Sequence, residues 1–239
     1  MPHAKFLLKT GHPQVVGSFG SSLDLRSAAL STVQNSCNIA EIRLDLLDSD
    51  EWKTPPWQHL SGMPLLFTAR RAEEGGAQLL NAATRIQRLR NALEHAACID
   101  IEVASIDEMS GFLDEITDLN IPWIASYHDF RQLPSSATLG QAAEKAKNAG
   151  AAVFKAAAHL HSPAELALLA EFQLADHGIP VATMGMGPLA PVSRLLCAQC
   201  GSHLNYGYLG STATAPGQWD SALLKQAITR LVQISRDSD

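Results

Sequence analysis

The sequence predicts a (β/α)8 barrel, and three observations predict it. Eight short apolar or β-branched runs recur along the chain, each followed by a helix-like stretch; this alternation builds βαβ units and a parallel sheet. The length of 239 residues suits one such barrel, which takes about 250. No low-complexity linker divides the chain, so one domain is expected over 1–239. The alternative is a doubly wound open sheet, but nothing resembles its glycine-rich dinucleotide turn.

The strands are expected at Gln14–Ser18, Ile39–Asp45, Leu65–Arg70, Cys98–Ala104, Trp123–His128, Ala152–Ala157, Val181–Met184 and His203–Leu209. Amphipathic stretches such as Thr84–His95, Thr138–Asn148 and Pro163–Asp176 supply helices between them. Strands of a parallel barrel are covered on both faces and should read as apolar runs. Several of these do not, and the exceptions point to a site.

Side chains alternate along a strand. Glu41, Arg43 and Asp45 therefore share one face, with Ile42 and Leu44 on the other. Buried charges are costly unless paired, so the charged face is expected to form a ligand-binding network near the barrel mouth. The next strand ends in Arg70 and is followed by Glu74-Gly75-Gly76, on the carboxyl side where barrels place active sites. Asp100-Ile101-Glu102 makes a further acidic strand. Ser126-Tyr127-His128-Asp129-Phe130 brings a histidine to a strand end, a position suited to general acid–base work.

Val153-Phe154-Lys155-Ala156-Ala157 is the most informative run. Burial of Lys155 among apolar residues and near arginines should lower its pKa and leave a nucleophilic amine able to condense with a ketone or aldehyde; the competing reading is a paired structural lysine. Met184 and Met186 could form an apolar wall beside it. Arg194 offers a planar fork for a carboxylate, and Thr214 and Gln218 could add neutral donors.

Composition bounds the rest. Hydrophobic residues make up 46% and charged residues 18%, with a net charge of −6, which fits a folded globular protein and argues against a nucleic-acid surface. No run approaches the roughly 20 apolar residues of a membrane helix, and the N-terminal segment does not read as a signal peptide. A cytoplasmic location is expected. The four cysteines fit that compartment as free thiols. Cys197 and Cys200 form an isolated CxxC without two further zinc ligands at suitable spacing, and His159-Leu160-His161 has no matching carboxylate cluster and reads as loop.

Taken in order, these segments resemble type I 3-dehydroquinate dehydratase over nearly the whole chain. They are ExRxD at Glu41–Asp45, FTxR and EGG at Phe67–Gly76, DIE at Asp100–Glu102, SxHDF at Ser126–Phe130, the strand lysine Lys155, TMGM at Thr183–Met186, SR at Ser193–Arg194, GS at Gly201–Ser202 and APGQ at Ala215–Gln218. The resemblance implies a metal-free, cofactor-free barrel, commonly a homodimer, that dehydrates 3-dehydroquinate to 3-dehydroshikimate in the shikimate route. It also implies that Lys155 forms an imine with the ring ketone and that His128, oriented by Glu74, moves the protons. Glu41, Arg43 and Arg70 would hold ring hydroxyls; Arg194, Thr214 and Gln218 the carboxylate; and Met184, Met186 and Tyr206 would pack around imine and ring. Thr214 departs from the serine usual in the family. Another Schiff-base barrel such as a class I aldolase, or a non-catalytic binding barrel, are the rival readings.

Overall fold

The computed structural model describes residues 13–48 and 55–237. The N-terminal segment read above for a signal peptide lies almost wholly outside them. Eight strands form one sheet in which hydrogen-bonded neighbours run parallel: β1 (Gln14–Phe19), β2 (Ile39–Arg43), β3 (Leu65–Thr68), β4 (Cys98–Glu102), β5 (Trp123–Asp129), β6 (Val153–His159), β7 (Val181–Met186) and β8 (Leu204–Leu209). Their order is β7-β6-β5-β4-β3-β2-β1-β8. The barrel is nearly closed. At the seam between β7 and β8, His203 N donates to Val181 O at 3.3 Å.

Helices α1 (Ser22–Ser27) and α2 (Leu30–Ser36) follow β1; α3 (Ala82–Ala92), α4 (Ser110–Asp118), α5 (Ser136–Asn148), α6 (Pro163–Leu174), α7 (Ala190–Gln199) and α8 (Ser221–Asp237) follow β3 to β8 in turn. Their starts are chemically marked. Asn81, Ser135 and Ser162 each accept an N–H of the first turn, and Pro163 opens α6, where its missing N–H is harmless. Among the described residues, no helix is long and apolar enough to cross a membrane.

The strands' two faces do different work. Outward residues such as Ile42, Phe67, Ile101 and Phe154 pack with the helices in the main core. Inward residues near the amino ends, among them Val16, Ile39, Leu66, Cys98, Ile124, Val153, Ala182 and Leu204, fill the interior. Two residues further along, the same inward face turns polar: Ile39 is followed by Glu41, Leu66 by Thr68, Cys98 by Asp100, Ile124 by Ser126 and Val153 by Lys155. An apolar plug at one end and a polar chamber at the other thus follow from a single alternation.

Two expectations are corrected. Asp45 is not a strand residue, because β2 stops at Arg43 and Leu44–Leu46 form a 3-10 turn. The turn lets Asp45 reach back to the Arg43 fork (Nε–Oδ1 2.8 Å, Nη2–Oδ2 2.6 Å) and accept the backbone N–H groups of Arg70 and Ala77. His159 is not loop. It is the last residue of β6, level with Met186 of β7, and its ring stacks on His161 at 4.5 Å.

Candidate active site

A pocket of about 500 Å³ opens at the carboxyl ends of the strands. Glu41, Arg43, Arg70, Glu74, His128, Lys155, Met184, Met186, Arg194, Tyr206 and Thr214 all line it. Gln218 is the one expected residue outside that lining. Its Oε1 accepts from the Thr214 backbone N and hydroxyl, both at 2.8 Å, so it closes the 214–218 loop on itself.

Lys155 lies midway along β6, level with Ser126 of β5 and Ala182 of β7. Alanines beside it leave room for its long side chain, which is 3% exposed. Its Nζ donates to Asp100 Oδ2 at 2.8 Å and stands 4.4 Å from the centre of the Tyr206 ring. Burial, opposed by Asp100 and aided by Arg70, holds the ammonium below its ordinary pKa. The amine is therefore both accessible from the pocket and easier to deprotonate than a solvated lysine.

Asp100 was visible as an acidic strand residue but not as the lysine's partner. Its other oxygen, Oδ1, faces Arg70 Nη1 at 2.9 Å and accepts the Ser126 hydroxyl at 2.6 Å. Burial works against its charge, but Arg70, Lys155 and His128 outweigh it and hold the carboxyl well below the usual range. Glu102, two residues on, accepts from Arg70 Nη1 at 2.9 Å and also pairs with Arg85 of α3. Glu41 is held by the hydroxyls of Ser18 and Thr68. Ser18, Thr68 and Ser126 all sit on the inward face two residues from an apolar plug residue, which was the available signal for them.

His128 is tied to Glu74 twice: Glu74 Oε2 lies 2.9 Å from the ring Nδ1 and accepts the His128 backbone N–H at 2.9 Å. That leaves Nε2 as the ring nitrogen able to exchange a proton with a ligand. Burial, then the Arg70 and Lys155 cations, push the imidazolium well below its ordinary pKa, so the ring is neutral near pH 7. Burial also raises the Glu74 carboxyl to about 7. Gly75 turns the chain after Glu74 with φ +88°, and a side chain there would strike the Phe130 ring. Arg43 Nη2 donates to Gly75 O at 3.1 Å, adding to the Asp45 clip on this loop.

Arg194, on α7, is 2% exposed and donates to Tyr206 O at 2.7 Å and to Met184 Sδ at 3.4 Å. Its Nε has no hydrogen-bond partner among the described residues, and burial lowers the guanidinium to about 10. No described carboxylate pairs with it. A buried cation with a free donor on a pocket wall is suited to an anionic ligand group. Elsewhere, Cys197 is buried on α7 and Cys200 ends it; among the described residues no group of three or more His, Cys, Asp or Glu side chains is placed to hold a metal ion.

A family model described as type I 3-dehydroquinase matches residues 18–235. The chain belongs to the type I 3-dehydroquinase family. It is 32% identical over 221 residues to a 3-dehydroquinate dehydratase of Haloquadratum walsbyi, covering 87% of this chain and 90% of that one. A relative of the same name from Methanothrix thermoacetophila is 32% identical and covered to 93%, against 92% of this chain. Among solved structures, 3-dehydroquinate dehydratase from Geobacillus kaustophilus superposes with a TM-score of 0.82 at 23% identity, over 93% of this chain and 92% of that one, a likeness of fold.

Proposed function

We propose that this protein is a 3-dehydroquinate dehydratase working through a Schiff base on Lys155. The observation that carries the reading is the meeting of a buried, pKa-lowered lysine with a carboxylate-tethered neutral histidine in one pocket. Family membership selects the substrate among the carbonyl compounds such a lysine could take.

The chemistry follows from the groups present. The Lys155 amine attacks the ring ketone carbon, and the carbinolamine loses water to give an iminium. That cation is a better electron sink than the ketone, so the proton on the adjacent carbon becomes acidic. His128 takes it through Nε2, with Nδ1 held by Glu74. The enamine pushes its electron pair back and expels the β-hydroxyl, which leaves as water with the proton that His128 returns. A second water hydrolyses the conjugated iminium, releasing 3-dehydroshikimate and the free amine. The net change is loss of one water.

The remaining groups bind. Arg194 has the unpaired charge to receive the substrate carboxylate, with Thr214 near the mouth. Glu41, Arg43 and Arg70 offer an acceptor and donors for ring hydroxyls, while Met184, Met186 and Tyr206 form the apolar walls. Nothing in this chemistry calls for a metal ion or organic cofactor. We further propose a homodimer located in the cytoplasm, in line with the family resemblance.

The test is direct. Addition of 3-dehydroquinate should produce the ultraviolet absorbance of the conjugated enone product. No absorbance change with a folded protein, or turnover of an aldol substrate instead, would overturn the assignment.

A further inference from the structure

Arg85 lies outside the pocket, on α3, and plays no part in the chemistry above. It is nevertheless 2% exposed and makes four hydrogen bonds: Nε donates to Ala69 O at 2.7 Å, Nη1 to the Ser105 hydroxyl at 2.8 Å and to Glu108 Oε1 at 3.4 Å, and Nη2 to Glu102. From there charges alternate without a break. Glu102 pairs with Arg70 at 2.9 Å, Arg70 with Asp100 at 2.9 Å, and Asp100 with Lys155 at 2.8 Å. All five residues are buried.

We propose that Arg85 is a positioning residue for Lys155, acting through the ladder Arg85–Glu102–Arg70–Asp100–Lys155 to keep the lysine available as a free amine. This rests on the reading of Lys155 as the imine-forming group. The ladder divides each carboxylate between two cations. Glu102 gives Oε2 to Arg85 and Oε1 to Arg70 and the Arg71 N–H. Asp100 gives Oδ1 to Arg70 and Oδ2 to Lys155. So long as Arg85 occupies one Glu102 oxygen, Arg70 stays shared with Asp100, and the pull of Asp100 on the ammonium is divided.

Without the Arg85 cation, both Glu102 oxygens turn to Arg70. Arg70 moves off Asp100, and Asp100 is left to Lys155 alone. The loss of a nearby positive charge acts in the same direction, because buried charges interact strongly at low dielectric. Both effects stabilise the ammonium and make the free amine scarcer at neutral pH. The groups facing Lys155 are Asp100 and Cys98 from β4, Arg70 after β3, Glu41 from β2, His128 from β5 and the Tyr206 ring from β8; Glu108, half exposed, also faces Arg85 at 3.4 Å. Of those around Lys155, Asp100 and Arg70 are the ones that the ladder links to Arg85.

The experiment is the pH dependence of borohydride inactivation in the presence of 3-dehydroquinate, for wild type, Arg85→Met and Arg85→Lys, with the adduct mapped by mass spectrometry. A wild-type adduct on Lys155 is the control for the underlying reading; its absence would sink that reading and the ladder's role with it. Given that adduct, Arg85→Met should move the midpoint of trapping to higher pH by about one unit, so that trapping at neutral pH falls about tenfold. Arg85→Lys keeps the charge and should keep the midpoint, even where it melts lower. An Arg85→Met protein that is less stable but traps with the wild-type midpoint, or with an acid-shifted one, would show that Arg85 only braces the fold. Should Arg85→Met fail to fold, Arg85→Gln, which retains a donor, carries the same expectation and the same contrary result.

Discussion

The Nζ of Lys155 and the Oδ2 of Asp100 stand 2.8 Å apart, with 3% and 1% of the two residues exposed. This pairing lets a buried lysine stay charged for folding yet lie close to deprotonation, as the proposed attack on a carbonyl requires. Removing one partner of a buried pair typically costs 3–5 kcal/mol. Asp100→Asn should therefore lower the melting temperature by roughly 10 °C. It should also move the pH midpoint of Schiff-base trapping to lower pH, because Asp100 is the group that holds the proton on Lys155. A midpoint moved to higher pH would contradict the assigned electrostatics.

His128 has a separate expected failure. The amine does not need the imidazole in order to attack, so His128→Ala should still form the imine. Proton transfer by a positioned base contributes about 10²–10⁴-fold, so turnover should fall by at least that much. Product and borohydride should then label a nearly inactive protein. Near-normal turnover would remove His128 from its role, and a missing adduct would mean that it assists imine formation too.

Glu74 gives a stability effect with a definite sign. Burial raises its carboxyl from 4.5 to about 7 in the folded protein. The folded state thus retains this proton while the unfolded state has lost it, and the cost of the buried charge is absent below about pH 4.5 and fully present above about pH 7. Glu74→Gln removes that charge. Relative to wild type it should melt higher at pH 8, by on the order of 1–3 kcal/mol of stability, with the gain closing as pH falls through 7 towards 4.5. Activity should drop in the same variant, because His128 loses the carboxylate on Nδ1. Equal melting temperatures across pH would show that the Glu74 carboxyl titrates normally.

Much of this site was legible because a strand's alternation is rigid. Once Ile42 and Leu44 are read as outward, Glu41 and Arg43 must face in, and Lys155 between Phe154 and Ala156 follows the same rule. Asp45 broke the rule because its fork with Arg43 and the backbone N–H groups of the 70–77 loop favour a 3-10 turn, and those partners come from distant sequence. The partnership of Asp100 with Lys155 depends on how β4, β5 and β6 are staggered, which no local pattern records. Arg85 was invisible for a further reason: a cation on an amphipathic helix ordinarily reads as solvated. Gln218 was expected to be a ligand donor, and the short loop that turns its oxygen on to Thr214 could not be seen from composition.

Charge in the proposed chemistry comes from arginines, the iminium and a histidine. Full activity should therefore survive exhaustive chelation, measured by enone formation before and after treatment. Loss of activity that zinc or magnesium restores would overturn this and bring back the Cys197–Cys200 or His159–His161 pairs as metal ligands.

The central claim is covalent. Incubation with 3-dehydroquinate and borohydride should inactivate the enzyme irreversibly and add the mass of the reduced ligand to the peptide carrying Lys155, while Lys155→Ala should gain no mass and lose most of its rate. Activity that survives borohydride in the presence of substrate, or an adduct that maps to another residue, would contradict the account.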